Sequence, residues 1–520
     1  MRTVLERRLD ALNMHGGGKL LAGGERGIEK ESLRITPEGL IAQTQHPVKL
    51  GSALTNKYVT TDYSEALLEF VTPPESSAWA AMQFLCDLHQ FTYDAIDDEL
   101  LWPLSMPCKL RSQDDIPLAD YGRSNIGQMK TIYRNGLGHR YGRVMQVISG
   151  IHFNYSLPEQ FWPAWAEIEQ STLEPGALKS ENYMGLVRNV RRLDWLLLYL
   201  FGASPAVCPS FLQGAETNLE VMDNGTRYGK WATSLRMSDL GYQNSNQAAL
   251  QVSANSLDEY VRDLSAAMAT PNDEYVRLGV KKNGEYLQLN ANHLQIENEF
   301  YSTIRPKRVA RSGERPTTAL SRGGIEYIEL RALDVSPFDP VGISQPQQKF
   351  LEAFLIYCLL LDSPPVLERE QEGIKHNHRL IAQRGREPEL ELLQNGEPVS
   401  MKQWATTICQ QMRPICVLLD ESAPGTYIEA LDMQIAAINE SGLTPSARVL
   451  THLADSGQSF ADYGLSLATD YRDYFSGLAP EFNTHQQQFA AESVNSLARQ
   501  TQIEGADKLS LDEYLADYYA

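Results

Sequence analysis

A chain of 520 residues, 42% hydrophobic and 22% charged, has the composition of an ordinary soluble globular protein, with two or three domains or one large core with appendages. Its net charge of −20 argues against general nucleic-acid binding and against docking on anionic membranes. An anionic substrate is still admitted, through a locally positive site or a bridging divalent cation. The six cysteines (Cys86, Cys108, Cys208, Cys358, Cys409 and Cys416) form no CxxC pair or zinc-like spacing and read as reduced structural thiols.

In chain order, MRTVLERRLDALNM reads as an amphipathic helix with Val4, Leu5, Leu9 and Leu12 on one side, and not as a signal peptide. The apolar run Trp195 to Phe211 is broken by Gly202, Pro205 and Pro209 and is too short to span a bilayer, so a cytosolic protein is expected. GIEKESLRI (Gly27 to Ile35) has strand-like alternation, which points Glu29 and Glu31 to one face and Ile28, Lys30 and Ser32 to the other. Two carboxylates held together repel, and a cation between them relieves the conflict. Downstream, Asp62, Glu65 and Glu69 are spaced as on one helix face, with Ala66, Leu67 and Phe70 on the apolar side. A helix is expected from about Ser77 to Leu100, then a Pro-punctuated loop and a locally basic stretch holding Arg123, Lys130, Arg134, His139, Arg140 and Arg143. VMQVISGIHFNYSL reads as a strand placing Gln146, Ile148, Gly150, His152 and Asn154 on one face.

Residues 160 to 200 read as helical, Thr233 to Tyr242 as a short polar strand and loop with Arg236, and Ser256 as the cap of a helix to Ala269. Gly284 to Arg308 reads as strands joined by turns, ending in a basic knot of Arg305, Lys307 and Arg308. Gly323 to Pro340 contains a strand with Tyr327, Glu329 and Arg331 on one face. Beyond Gln345 helical patterns dominate, without repeats or a low-complexity linker, so residues 346–520 are expected to form a helical layer on a 1–345 core, not an independent domain.

No P-loop, Rossmann glycine set or GxSxG elbow is present. What remains is an oxygen-rich set of Glu29, Glu31, Asp62, Glu65, Glu69, His152 and Glu329, with Arg134, Arg236, Arg305, Arg308 and Arg331. Such ligands suit Mg²⁺ or Mn²⁺, and carboxylates with several arginines suit phosphoryl transfer. Spacing alone does not bring them together.

GIEKESLR, TTDYSEALLEFVTP, WPLSMPC, QVISGIHFNYSLP, FGASPA, ATSLRMSDLGY, LQIENEFYSTIRPKR and GGIEYIELRALDVSPF, in this order through most of residues 20 to 345, closely resemble the bacterial glutamate–cysteine ligases of the enterobacterial type. The resemblance implies an α+β fold of the glutamine-synthetase-like carboxylate–amine ligase kind, a curved, mostly antiparallel sheet funnel with helices outside. It implies ATP-dependent joining of the glutamate γ-carboxylate to the cysteine amine through a γ-glutamyl phosphate, with ATP as co-substrate and Mg²⁺, or Mn²⁺ in its place. It assigns metal binding to Glu29, Glu31, Glu69, His152 and Glu329, and phosphoryl stabilisation to Arg331, with Asp62 orienting substrate or metal. Arg134, Arg236, Gln146, Ile148 and Asn154 fall on the substrate side, and Tyr63, Tyr133, Leu137, Tyr242 and Tyr301 around the cysteine side chain. Arg305 and Arg308 are expected near the nucleotide. Tyr63 departs from the Phe that relatives often carry, which opens the alternative of another small amine as acceptor. A non-catalytic metal- or nucleotide-binding protein is a further alternative. The expected partners are small molecules, without nucleic acid or membrane, and the expected working unit is a monomer.

Overall fold

The computed structural model describes residues 2–241, 247, 250–311, 313–422 and 425–519. Its large sheet contains β1 (Glu25–Ile35), β2 (Val59–Thr61), β3 (Leu67–Val71), β4 (Leu100–Leu101) and β5 (Gly150–Ser156). A three-stranded sheet of β6 (Ala206–Val207), β7 (Glu220–Asp223) and β8 (Thr226–Tyr228) and a hairpin of β9 (Lys281–Lys282) and β10 (Glu285–Tyr286) follow. Then β11 (Ile304–Lys307) and β12 (Tyr327–Asp334) complete the large sheet, in the order β11-β12-β5-β1-β3-β2 with β4 on the end of β1. Every pairing in it is antiparallel. With its helices this is an α+β architecture, as the resemblance implies.

The sheet has two chemically different faces because each strand alternates. Ile28, Leu68, Phe70, Ile151, Phe153, Tyr155, Ile304, Ile328 and Leu330 are buried on one face, against the helices Ala78–Tyr93 and Pro175–Leu193. Each such side chain contributes about 1.5–3 kcal/mol of burial, which fixes the register and therefore what the opposite face presents. Lys30 also lies on this apolar face, its Nζ 2.7 Å from His89 Nε2, and burial pushes its pKa down to about 7.

The later helices pack back onto this core. Gln345–Leu360 lies against Pro175–Leu193, Met401–Asp420 and Thr426–Asn439, while Phe460–Gly477 and Gln486–Ala506 lie against Ala78–Tyr93. The last stretch also contains a hairpin of β13 (Glu391–Gln394) and β14 (Glu397–Ser400). The amphipathic first helix is Val4–Met14, with Thr3 and Glu6 forming a reciprocal capping box, and Ser256 caps Leu257–Ala269 as its position implies. Five of the six cysteines are buried and Cys86 is half-buried. Among the described residues no helix is long and apolar enough to cross a membrane.

Several local expectations are corrected. Asp62 to Glu69 is not a helix but the turn and second strand of the β2–β3 hairpin. The acidic spacing coincides with a helical period, but β3 is recruited by β1 on one side and β2 on the other, and pairing overrides local pattern. Glu65 consequently leaves the acidic group, and its carboxylate accepts from the backbone N–H of His46 (2.8 Å) and Asp120 (2.9 Å). The strand expected from Val144 starts only at Gly150; Met145–Val147 is a 3₁₀ turn holding Gln146, and Ile148 is fully buried in an apolar cluster. The helix from Ser77 ends at Tyr93, and the basic stretch is itself a helix, Asn125–Tyr141. Around Arg236 there is only a bridge between Ser204 and Ser234 in place of a strand. Between 284 and 308 the strands are limited to β10 and β11.

Candidate active site

Cross-strand register gathers the polar face. Glu31 sits opposite Glu69 of β3, Glu29 opposite His152 of β5, Asn154 opposite Glu329 of β12, and Glu329 opposite Arg305 of β11. Residues directly opposite share a face, so side chains from five strands converge. His152 Nδ1 lies 2.9 Å from Glu29 Oε2 and 3.5 Å from Glu329 Oε1, and its Nε2 lies 3.9 Å from Glu31 Oε1. Asn154 Nδ2 donates to Glu29 Oε1 at 2.9 Å, and Glu31 Oε2 accepts from the N–H of Gly150 at 2.6 Å. A bulge between Leu330 and Leu333 adds one residue to β12, and Arg331 turns its Nη1 onto Glu329 Oε1 at 2.9 Å and toward His152 at 3.4 Å.

The electrostatics divide the acids into two kinds. Burial pushes Glu329 up, but Lys307, Arg331, His152 and Arg305 outweigh it and hold the carboxyl well below its ordinary range. For Glu29, burial and the Glu329 charge push up, and the bond and charge of His152 with Lys307 prevail, leaving it lowered. Glu31 is raised, chiefly by burial, and Glu69 is held well above the carboxylate range by burial and then by Glu29, Asp62 and Glu31. Glu29 and Glu329 are thus held below the ordinary carboxylate range, and Glu31 and Glu69 above it.

A divalent cation fits this arrangement. Donor atoms of Glu29, His152 and Glu329 all lie within 4.8 Å of one another. Glu329 Oε2 is buried and accepts no hydrogen bond, although Lys307 Nζ is 3.2 Å away. The oxygen-rich set with one imidazole suits Mg²⁺ or Mn²⁺.

Around the acids, Arg134 is tied to backbone by Nη1 on Lys130 O (3.1 Å) and by Nε on Asp62 O, and it stacks 4.5 Å from the Tyr121 ring. Asp62 itself is half-buried at the β2–β3 turn. Tyr133 and Leu137 belong to the same helix as Arg134, with Leu137 packed in one apolar cluster with Tyr63. The Tyr63 hydroxyl is buried without a hydrogen-bond partner, and an added Cβ at Gly138 would collide with it. Gln146 Nε2 donates to Tyr301 Oη at 3.1 Å. Arg236 is 2% exposed; it donates from Nη2 to Arg331 O at 3.0 Å and lies 3.8 Å from Asp334. Its guanidinium crosses Gly150 where a Cβ would stand, so a larger residue there would push the Arg236 guanidinium aside.

Arg305, in register with Glu329, donates to Asn298 O at 2.9 Å. Arg308 stands beyond the end of β11, held by Gly324 O (2.5 Å) and 3.8 Å from Glu326, so it is tied locally and not turned to the acids. Tyr242 lies outside the described residues. A cavity of about 1920 Å³ begins at Arg331, Arg236 and Tyr301 and runs toward the helix Glu368–Arg384. The acids stand beyond its edge, so the coordination geometry and not the cavity defines the centre.

Sequence reasoning left two contributors unassigned. Lys307 shares the face of Arg305 two residues away, and strand alternation in a basic run was its only signal. Asp334 anchors the Arg236 region by accepting from Ser204 Oγ (2.6 Å), Ala203 N (2.8 Å) and Ser234 Oγ (2.9 Å); three segments far apart in the chain leave no local pattern.

The family model described as glutamate–cysteine ligase matches residues 9–381. A glutamate–cysteine ligase of Alcanivorax borkumensis is 49% identical, covering 99% of this chain and 99% of its own. One of Pseudomonas fluorescens is 46% identical over 99% of this chain and 97% of its own. Among solved structures, the glutamate–cysteine ligase of Francisella tularensis in complex with AMP superposes with a TM-score of 0.90 at 36% identity, covering 96% of this chain and 98% of that one. Matched in sequence along its whole length and in fold, the chain belongs to the glutamate–cysteine ligase family.

Proposed function

We propose that this chain joins the γ-carboxylate of L-glutamate to the amine of L-cysteine at the expense of ATP, giving γ-glutamylcysteine, ADP and phosphate, the first step of glutathione synthesis. The single observation that carries the reading is the convergence of Glu29, Glu31, Glu69, His152, Glu329 and Arg331 on one face of one sheet. Residues 1–345 are the catalytic core in this reading, with the curved sheet as the wall of a funnel, and residues 346–520 a layer packed on it.

Glutamate's γ-carboxylate is a poor acyl donor, because oxide would have to leave. Its oxygen attacks the terminal phosphorus of ATP, the bond to ADP breaks, and the acyl phosphate carries a good leaving group. Arg331, its Nη1 2.9 Å from Glu329 Oε1, would hold charge on the transferring phosphoryl group. Arg236, fixed by Arg331 O, is the candidate for a substrate carboxylate. Glu29, Glu31, Glu69, His152 and Glu329 would hold Mg²⁺, which when bound neutralises phosphate charge. The cysteine amine then attacks the acyl carbon and phosphate departs. The amine's proton goes to Asp62, to Glu69 or to a phosphate oxygen. The helix bearing Tyr133, Arg134 and Leu137, with Tyr63 and Tyr301, supplies the wall for the acceptor side chain and excludes water from the acyl phosphate.

The test is ADP release by the purified protein with Mg-ATP and glutamate, with and without cysteine, and mass spectrometry of the product. Cysteine-dependent ADP release and the mass of γ-glutamylcysteine are expected. A faster reaction with glycine or alanine overturns the acceptor assignment. No turnover from folded protein overturns the ligase reading.

A further inference from the structure

The helix Leu511–Tyr519 lies far from the acids in sequence, yet it packs on the back of the acceptor-pocket helix Asn125–Tyr141. Leu515 is buried with Met129 and Leu289, and Tyr133, Ile132, Tyr514 and Tyr519 close around them. This small cluster meets one of the large ones through Tyr133, which packs against both.

Polar contacts extend the grip along the same helix. At its start, the Asn125 N–H donates to Asp507 Oδ2 at 2.5 Å and Asn125 Nδ2 donates to Leu509 O at 2.9 Å. An anion at the N-terminus of a helix satisfies an otherwise unpaired donor and complements the helix dipole. Just before it, Arg123 Nε donates to Glu504 Oε2 at 2.9 Å. Farther along, Tyr519 Oη donates to Gln295 O at 2.8 Å, and Gln295 Nε2 donates to Tyr133 O at 3.2 Å. Gln295 approaches the helix so closely at Gly136 that an added Cβ there would meet its side-chain amide. The segment therefore touches the helix at its first turn, through Leu515 in its middle and through Gln295 at the turn that carries Tyr133, Arg134 and Leu137.

We propose that residues 504–519 are a brace that sets the position of the acceptor-pocket helix, with Leu515, Tyr519 and Asp507 as positioning residues for cysteine. The proposal rests on the ligase reading above, which places Tyr133, Arg134 and Leu137 at the acceptor. Opening this cluster lets the turn that carries Tyr133 and Arg134 relax toward the vacated space, and small displacements of pocket atoms cost much in productive binding. The acids and Arg331 stand on strands that the brace does not touch, so phosphoryl transfer to glutamate stays in place.

The experiment compares the full-length protein with Leu515→Ala, Leu515→Met and Tyr519→Phe. It reads kcat and KM for cysteine, glutamate and ATP, and separately the acyl phosphate trapped as hydroxamate with hydroxylamine in place of cysteine. Leu515→Ala is expected to raise the cysteine KM roughly tenfold, with the KM values of glutamate and ATP and hydroxamate formation within about twofold of the starting protein. Leu515→Met is expected to restore the cysteine KM, since it refills the volume. Tyr519→Phe removes one hydroxyl, folds on conservative grounds and is expected to move the same parameter in the same direction by a smaller factor. An unchanged cysteine KM in both Leu515→Ala and Tyr519→Phe overturns the brace, as does an equal rise in all three KM values, which marks general loosening. An unaltered protein without cysteine-dependent turnover removes the ligase reading itself; normal turnover with unresponsive variants removes the brace alone.

Discussion

Arg140 and Glu299 form an ion pair whose side chains are both 0% exposed, with Nη1 and Oε1 2.9 Å apart. Arg140 also donates to Gln288 Oε1 (2.9 Å) and Asn290 O (2.7 Å) and stacks 4.0 Å from the Tyr275 ring. Glu299 in turn accepts from Tyr141 Oη (2.9 Å) and Gln295 N (2.5 Å). At that separation an effective dielectric of about 20 gives an attraction of about 6 kcal/mol. Desolvation offsets it, because burial keeps the Glu299 carboxyl above its ordinary range even with Arg140 beside it. The intact pair is therefore worth little net, whereas Glu299→Gln strands a buried guanidinium and is expected to cost ~3–5 kcal/mol. Urea unfolding, followed by the fluorescence of the seven tryptophans, reads this as a lowered midpoint. The double variant Arg140→Leu with Glu299→Leu is expected to recover much of the loss, because no charge is left buried. A Glu299→Gln protein within about 1 kcal/mol of the parent, or a double variant no more stable than the single one, refutes the reasoning.

Other tests reach the site and its surroundings. Tyr63→Phe removes a buried hydroxyl that has no partner and is expected to stabilise the fold by about 1 kcal/mol; a destabilised variant in the same urea experiment would show that the hydroxyl is satisfied. Burial, and then Arg34, lowers the pKa of His46 from 6.5 to about 4, and both ring nitrogens are buried without partners. The unfolded chain thus takes up a proton that the folded chain refuses between those values, so stability falls as pH drops from 6.5 to about 4. The residue as a whole is half-buried, which limits the effect to about 1–2 kcal/mol, and His46→Phe is expected to remove it from the pH profile of the midpoint. Mg²⁺ at a hundred times its dissociation constant is expected to stabilise the parent by about 2.7 kcal/mol, and Glu329→Gln to abolish that shift in a thermal melt; a full shift in the variant removes Glu329 from the ligand set. Arg331→Ala is expected to lower kcat far more than it raises the glutamate KM, and an effect on KM alone would assign Arg331 to ground-state binding.

What a few neighbouring residues decide was legible in the order of amino acids. Alternation in Gly27 to Ile35 places Glu29 and Glu31 on one face whatever the strand pairs with, and caps such as Ser256 act over one turn. The motifs through residues 20 to 345 were enough to point to the family that the whole-length comparisons then established. Tertiary structure decided whatever depended on a partner chosen from far away. Asp62, Glu65 and Glu69 have helical spacing, yet β3 is a strand because β1 and β2 pair with it, and so Glu69 joins Glu31 while Glu65 turns to His46 and Asp120. Arg140 and Arg305 look alike in a basic run, but one is sealed against Glu299 and the other is brought opposite Glu329. The energy of a cross-strand pair or a buried ion pair depends on both partners and on the solvent they lose together, and a pattern confined to one segment contains only one of them.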